Sequence, residues 1–343
     1  MSAVSLNKPR KSIRSLFGGR YGRLLSIPPV ILLLAVVTPA IANAYWLSAL
    51  TSAVALSLAA SGVAILYGQL GLVSLCQYAL VGVGGWVALR LGVGFGVPFE
   101  IGMLAAGVAA SAVGVLFGLP ALRLKGLYLA LVTLMLAGAY QVLISAVGFP
   151  DGGAGFFGRA EAVARRMLQR PMIATSAPAY FIYALVVAGL GFMLAETHRV
   201  TKPGRSWALI RKGETIALAA GVNLLAYKAW AFALAGFLAG VAGALLAGGV
   251  GQLDGRAFAA SESLNLFALA IVGGVYHWFG ALIAGALLRA VPALLTDIGV
   301  DGFVSIGIFG AALLHALITA PRGVAGNIAA SIRRWMRPVS ADA

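Results

Sequence analysis

Two ionisable side chains, Arg289 and His315, lie inside long apolar stretches of this 343-residue sequence. A charged group among apolar residues is costly, and within a membrane it usually marks an ion or solute pathway. The Arg289 guanidinium could bind an anion there. Alternatively, its side chain could extend to the polar membrane edge or bind a carbonyl group that Pro292 leaves without a partner. For His315, near the end of its stretch, the structural explanation is the stronger one.

Four polar side chains of the apolar stretches are our candidates to line a solute pathway: Gln77, Tyr128, Thr133 and Arg289. Gln77 belongs to a glycine-rich stretch that we expect to be buried among other helices. Tyr128 has an alternative place in the aromatic belt at the membrane interface, where tyrosine side chains are common.

The sequence lacks the common patterns that bind a nucleotide or a metal or that form a catalytic centre. It contains no G-x-x-x-x-G-K-[ST], no G-x-S-x-G, no H-E-x-x-H and no His and Cys cluster at metal-ligand spacing. We therefore expect no catalytic residue, no cofactor and no metal site. All ten acidic residues fall in loops or near the ends of apolar stretches, whereas an ion-driven carrier usually needs an acid in mid-membrane. The energy for any transport should therefore come from another protein.

A basic segment, residues 198–228, separates two apolar stretches. It holds seven Lys, Arg and His residues against the single acid Glu214. Four of its residues recur at near-helical spacing and predict one packed face: Trp207, Ile210, Leu218 and Gly221. Gly221 is suited to end a helix, and Asn223 is suited to cap the next one. We predict two short helices, or one helix bent at Gly213, that dock at the membrane surface. The alternative is a solvated loop.

The composition identifies a membrane protein. Hydrophobic residues make up 61% of the chain and charged residues 10%, whereas about a quarter of the residues in a soluble domain are charged. The apolar stretches can cross ~30 Å of hydrocarbon as helices. The predicted fold class is therefore all-α: a polytopic membrane protein with about ten transmembrane helices, where counts of eight to ten fit. The net charge of +15 does not indicate nucleic-acid binding, because the basic residues are scattered over loops.

The ten predicted spans lie at about 24–42, 46–67, 70–89, 98–119, 127–147, 178–197, 229–250, 263–276, 279–297 and 303–319. They form a permease domain, 24–319, between a basic tail, 1–23, and a second tail, 320–343. With both tails on one side, Lys and Arg divide 18 to 6 in favour of that side, apart from Arg289 within a span. Basic residues collect in the cytoplasm, so we assign both tails and residues 198–228 to it. The discordant run Arg159–Arg170 could form an amphipathic helix outside, or signal a miscounted span.

Four segments carry motifs that occur together in one transporter family. They are GQLGLVSLCQYALVGVGGW (68–86), ALRLKGLYLALVTLMLA (121–137), GRSWALIRKGETIALAAGVNLLAYKAWAFALAGFLAGVAGALLAG (204–248) and TAPRGVAG (319–326). The second fits the pattern R-L-[RK]-G-x-Y-L-A-x-x-T-L. In content and order, the segments resemble the LivM-type permeases of bacterial ABC importers for branched-chain amino acids. The resemblance extends over residues 45–326.

This resemblance implies a permease subunit without catalysis of its own, in the bacterial inner membrane. The implied partners are a sister permease, two ATPase subunits, a periplasmic substrate-binding protein and membrane lipid, with no nucleic acid. In this family the cytoplasmic loop forms a coupling helix that seats in a groove of the ATPase. The residues that match it are Arg211, Glu214, Ala217, Ala219, Gly221 and Asn223.

The sequence also departs from the family pattern. Leu218 stands where the family usually has Glu, Cys76 replaces a Gly, Tyr276-His277 replaces Gly-Ser, and PDGGAGFFG differs from T-G-G-x-x-G. The last three lie near the expected pathway. Aliphatic amides and urea, which other members of the family transport, are therefore candidate solutes in addition to branched-chain amino acids. The alternative function is a stand-alone secondary carrier or channel for a small solute, which would need neither an ATPase nor a binding protein encoded beside it.

Overall fold

The computed structural model describes residues 22–122, 124, 126–153, 155–159, 166–301 and 323–335, with scattered positions between 304 and 318. Its helices, in chain order, are α1 (Ile27–Ile41), α2 (Ala44–Val63), α3 (Gln77–Leu89), α4 (Phe99–Gly118), α5 (Leu127–Val147), α6 (Ala177–Val200), α7 (Lys202–Lys212), α8 (Glu214–Ala219), α9 (Leu224–Val250), α10 (Ala260–Gly273), α11 (Trp278–Asp297) and α12 (Gly323–Trp335). A short helical turn, Gly22–Leu25, precedes α1, and π-helices continue α2 to Leu70 and α3 to Gly94. The described part of the chain contains no strand, which confirms the all-α class.

Seven described helices are long and apolar enough to cross a membrane: α1, α2 with its π-helical end, α4, α5, α6, α9 and α11. Helices α3 and α10, with 13 and 14 residues, overlap the third and eighth predicted spans but are shorter than the seven crossing helices. The tenth predicted span, 303–319, lies largely outside the described residues. The chain is therefore a polytopic helical membrane protein, and the count of ten spans stays a prediction.

Helix α9 lies at the centre of the bundle, where it packs against α2, α3 and α4. Its contacts with α4 and α3 bring backbone against backbone. A Cβ atom at Gly240 would lie 2.4 Å from the Ala106 carbonyl oxygen, and one at Gly243 would lie 2.0 Å from the Val81 carbonyl oxygen. Small residues at such positions let membrane helices approach closely. Gly240 and Gly243 therefore set the close approach of α9 to α4 and α3.

The third predicted span is not a continuous helix. Gly71, with a φ of 76°, ends the π-helix that follows α2, and residues 71–76 are not helical before α3 begins. Backbone groups without a helical partner are tolerated at membrane depth only where protein satisfies them. Here the Leu75 amide donates to the Thr133 hydroxyl over 2.9 Å. Beside it, the Gln77 side chain donates to the Ala235 carbonyl over 2.7 Å. Residues 71–76 are therefore held by α5 and α9.

One end of the bundle gathers the chain next to both tails. Arg23 donates to the Tyr276 carbonyl over 2.6 Å, and Arg211 of the basic segment donates to the hydroxyl of the same tyrosine. Gly323, the first residue of α12, lies against Gly274. The first and last described parts of the chain therefore lie at the same end of the bundle as the basic segment. An even number of spans requires this arrangement.

At the opposite end, arginines bind the carbonyl groups where helices finish. Arg159 donates to the Val147 carbonyl at the end of α5 over 3.2 Å, and Arg170 donates to the Gly249 carbonyl near the end of α9 over 3.0 Å. The last carbonyls of a helix lack helical partners, and basic side chains can supply donors. This pairing gives a structural reason for arginines in a run that opposes the charge bias. The described residues 166–170 of that run are not helical.

Replacing Gly240 with alanine should destabilise the bundle, because its methyl group would overlap the backbone of α4. Overpacking of this kind costs about 1–3 kcal/mol, so we expect a lower unfolding temperature in detergent. The matched control is Gly138→Ala in α5, where no described atom lies within 4 Å of the place that the new methyl group would take and helix propensity favours alanine by up to about 1 kcal/mol. Equal unfolding temperatures for the two variants would contradict the close contact between α9 and α4.

Candidate functional site

The basic segment folds into the two short helices that the sequence predicted, α7 and α8, separated at Gly213. On α7, the Trp207 side chain is fully buried and Ile210 is nearly so. The Trp207 indole N–H donates to the Tyr227 carbonyl in the first turn of α9 over 2.9 Å. The segment is therefore docked on the bundle and is not a solvated loop.

The predicted packed face does not continue into α8. Leu218 is 58% exposed, and Ala217 is the residue that is buried instead. Because Gly213 interrupts the helix, the spacing that begins at Trp207 does not carry across it. As a result, α8 presents an apolar surface to the outside, formed by Ile216, Leu218, Ala219 and Ala220.

Arg211 connects the end of α7 to two other parts of the bundle. Its guanidinium donates to the Gly68 carbonyl in the π-helical end of α2. It also donates to the Tyr276 hydroxyl over 2.7 Å and lies over that ring, 5.1 Å from its centroid. Tyr276 belongs to the turn between α10 and α11. Arg211 therefore links the end of α7 to the end of α2 and to the turn before α11.

An ion pair joins α8 to α9. The Lys228 ammonium lies 2.9 Å from a carboxylate oxygen of Glu214, and the Lys228 side chain is 2% exposed. A buried ammonium group is costly unless a carboxylate compensates it. Glu214, in the first turn of α8, also favours that helix through its dipole. The pair therefore fixes α8 on the central helix.

The connection between α8 and α9 follows the predicted capping pattern. Gly221 adopts a left-handed conformation with a φ of 74°, which ends α8. The Asn223 side chain accepts a hydrogen bond from the Ala226 amide over 3.1 Å and caps α9. No described atom lies within 4 Å of the place that a Gly221 Cβ would take. The space beside Gly221 is thus open to a partner.

A cavity of about 1130 Å³ opens at the end of the bundle opposite the basic segment. Its polar lining includes Tyr45, Ser48, Ser52, Asp254, Arg256 and Arg289. The C-terminal part of α9 contributes Leu246 and Val250 to the wall. Ligand pockets in proteins commonly occupy about 300–1,000 Å³, so the cavity has room for a small solute.

Arg289 is the predicted pathway residue that lines this cavity. It lies eight residues before the end of α11, which places it about 12 Å inside the bundle. Its guanidinium donates to the Tyr78 hydroxyl over 2.6 Å. Among the described residues, Arg289 donates no hydrogen bond to a carbonyl group near Pro292. His315 lies outside the described residues.

The other three pathway candidates do not line the cavity. Gln77 and Thr133 are buried and hold residues 71–76 and the start of α3, as described above. Tyr128 is 71% exposed on the first turn of α5, where a membrane-interface position fits it. Sequence reasoning missed Tyr78, whose partner on α11 is more than 200 residues away. Among the described residues, no three His, Cys, Asp or Glu side chains are grouped to hold a metal.

The geometry thus combines a docked basic segment at one end with a polar cavity at the other, linked by α9. Residues 45–317 match the family described as "Branched-chain amino acid transport system / permease component". The chain belongs to this family. The matched region includes the cavity, the basic segment and every described membrane-crossing helix from α2 to α11.

Two relatives carry the same name. The high-affinity branched-chain amino acid transport system permease protein LivM of Escherichia coli strain K12 is 25% identical over 294 residues. The protein of that name from Salmonella typhimurium strain LT2 is 24% identical over 294 residues. The alignment covers 77% of this chain but 66% of each relative, just under two thirds of their length. No solved structure matches the chain significantly.

Replacing Glu214 with glutamine should lower the stability of the protein, because it removes the negative charge that lies 2.9 Å from the buried Lys228 ammonium. Such a loss costs about 1–3 kcal/mol. Thermal unfolding in detergent measures it, with Glu100→Gln, an exposed acid in the first turn of α4, as the control. Adding Lys228→Met to Glu214→Gln should recover most of the loss. If Glu214→Gln unfolds at the same temperature as the control, the ion pair does not fix α8.

Proposed function

We propose that this chain is the permease subunit of an ABC importer in the bacterial inner membrane. It moves branched-chain amino acids or related small polar solutes inward, and separate ATPase subunits supply the energy. The observation that carries the proposal is how the basic segment is placed. Its inner side is bound to the bundle, and the apolar surface of α8 faces outward. Family membership supports it, and so does the name of the relatives.

The partners follow from this role. The chain has no nucleotide-binding motif, so two ATPase subunits bind ATP, and one of them receives α8. A sister permease completes the pore, and a periplasmic binding protein delivers the solute at the cavity end. Lipid contacts the exposed apolar side chains of α5, such as Met135 and Val142. In this arrangement both tails and the basic segment face the cytoplasm.

The six residues proposed for coupling differ in their contacts. Arg211, Glu214 and Ala217 contact the bundle, at the end of α2, the turn before α11 and α9. The Asn223 side chain is exposed and caps the first turn of α9. Ala219 and Gly221 are exposed on the outer side, where an ATPase groove would contact them. A short helix held by this many contacts moves as a rigid body with its neighbours. A push on α8 therefore reaches α9 through Lys228, and one on α7 reaches the π-helical end of α2 through Arg211.

The proposal predicts that uptake of L-leucine requires the complete assembly. Proteoliposomes with this chain alone should take up no more leucine than empty vesicles. Vesicles that also contain the co-encoded sister permease and ATPase, with the binding protein added outside, should accumulate it when ATP is enclosed. Uptake by the chain alone at the rate of the assembly would favour the stand-alone carrier or channel instead.

Coupling is tested with two glycines in equivalent conformations. Gly221 and Gly299 both have a φ above 70° and open space at the Cβ position, so valine strains each backbone by about 1–2 kcal/mol. They differ in place, since Gly299 follows α11 at the opposite end. In the assembled complex, Gly221→Val should reduce ATPase stimulation by loaded binding protein and leucine uptake together, while Gly299→Val preserves both. Equal activities of the two assembled variants would refute the coupling role.

A further inference from the structure

We propose that Arg289 and Tyr78 form a binding site for the carboxylate group of the transported solute. The proposal rests on the proposed function and narrows it. Among the candidate solutes, the proposed site favours those with a carboxylate, such as amino acids, over uncharged amides and urea. The site is the inner part of the cavity described above.

The first support is the rigid placement of the guanidinium. Tyr78 is 1% exposed, and its ring packs against Phe258 with the centroids 5.5 Å apart. Its hydroxyl oxygen accepts the hydrogen bond from Arg289, which leaves the hydroxyl proton available to donate. A fixed guanidinium beside a hydroxyl donor is well suited to a carboxylate, which accepts several hydrogen bonds in one plane.

The second support is the unused donor capacity of Arg289. A guanidinium has five N–H donors and no acceptor, and Tyr78 is its one hydrogen-bond partner among the described residues. The side chain lines a cavity large enough for a solute. A solute carboxylate would therefore meet N–H groups that the described protein does not occupy.

The third support is the charge balance along the solute route. The cavity is lined by three arginines, Arg159, Arg256 and Arg289, against two acids, Asp151 and Asp254, so its lining carries a net positive charge. In the described part of the chain, no carboxylate forms an ion pair with Arg289. A positive charge inside a membrane bundle normally has a partner or a function. A carboxylate that passes through the cavity supplies the opposite charge transiently, which a transport site needs because permanent pairing would block it.

The test uses two probes of the same shape that differ in charge, 3-methylbutanoate and 3-methylbutanamide. Binding of each to the purified full-length chain in nanodiscs is measured at pH 7 by saturation-transfer NMR titration. We expect the carboxylate to bind at least tenfold more tightly than the amide. Arg289→Gln should abolish this preference, Tyr78→Phe should weaken carboxylate binding several-fold, and Arg205→Gln, an exposed arginine of α7, should change neither. Equal binding of the two probes, or no binding of either, would overturn the proposal.

A second variant separates loss of binding from loss of folding. Arg289→Lys keeps the positive charge but not the planar donor group, so it should bind the carboxylate more weakly while it still prefers it to the amide. If Arg289→Gln does not fold, the Arg289→Lys and Tyr78→Phe titrations decide the question. Unchanged carboxylate affinity in both would overturn the site.

The assembled importer distinguishes this proposal from the proposed function. If the parent complex imports leucine and Arg289→Gln imports it at the parent rate, the carboxylate site is wrong and the importer stands. If the parent complex imports nothing while the isolated chain still prefers the carboxylate probe, the importer is wrong and the site stands. We expect Arg289→Gln to lose at least tenfold in leucine uptake while assembly and basal ATP hydrolysis stay at the parent level.

Discussion

The contact of α9 with α3 and α4 at glycine positions is the constraint on which the rest of this structure depends. Carbonyl oxygens of both neighbours lie where a Cβ atom of Gly240 or Gly243 would be, so the helix axes are closer than larger side chains allow. This proximity makes α9 the buried centre of the bundle. Its first turns bind the basic segment through Lys228, and its last turns line the cavity. A single helix thus joins the two candidate functional sites of the molecule.

The sequence predicted the elements whose signals are local. Long apolar stretches predicted the helices that cross the membrane. Gly221 predicted the end of α8 and Asn223 the start of α9, because capping depends on neighbouring residues. The sequence did not predict the features that depend on contacts between distant parts of the chain. The apolar stretch around residues 71–76 reads as part of a helix, yet it is opened by Gly71 and held by Thr133 from another helix. Leu218 was misplaced because the break at Gly213 resets the helical phase.

The candidate sites show the same division. Composition and resemblance located the basic segment and most of its coupling candidates, but not the direction in which each side chain points. Arg211, for example, reaches a carbonyl 143 residues away in the sequence. At the cavity, Arg289 was identifiable as a charge within an apolar stretch, whereas Tyr78 carried no signal of its own. A hydroxyl becomes a site residue only through its distant partner, and a single sequence does not contain that pairing.

Residues 71–76 also constrain how this protein can enter the membrane. A helix satisfies its own backbone and can partition into lipid as soon as it is made, but this segment cannot. Its hydrogen-bond partner Thr133 lies 58 residues later than Leu75, and Ala235 lies 158 residues later than Gln77. During synthesis, therefore, the third span has no stable place in the lipid until α5 and then α9 have emerged. We therefore expect the early helices to await the later ones during insertion, so that the order of synthesis becomes part of how this fold is reached.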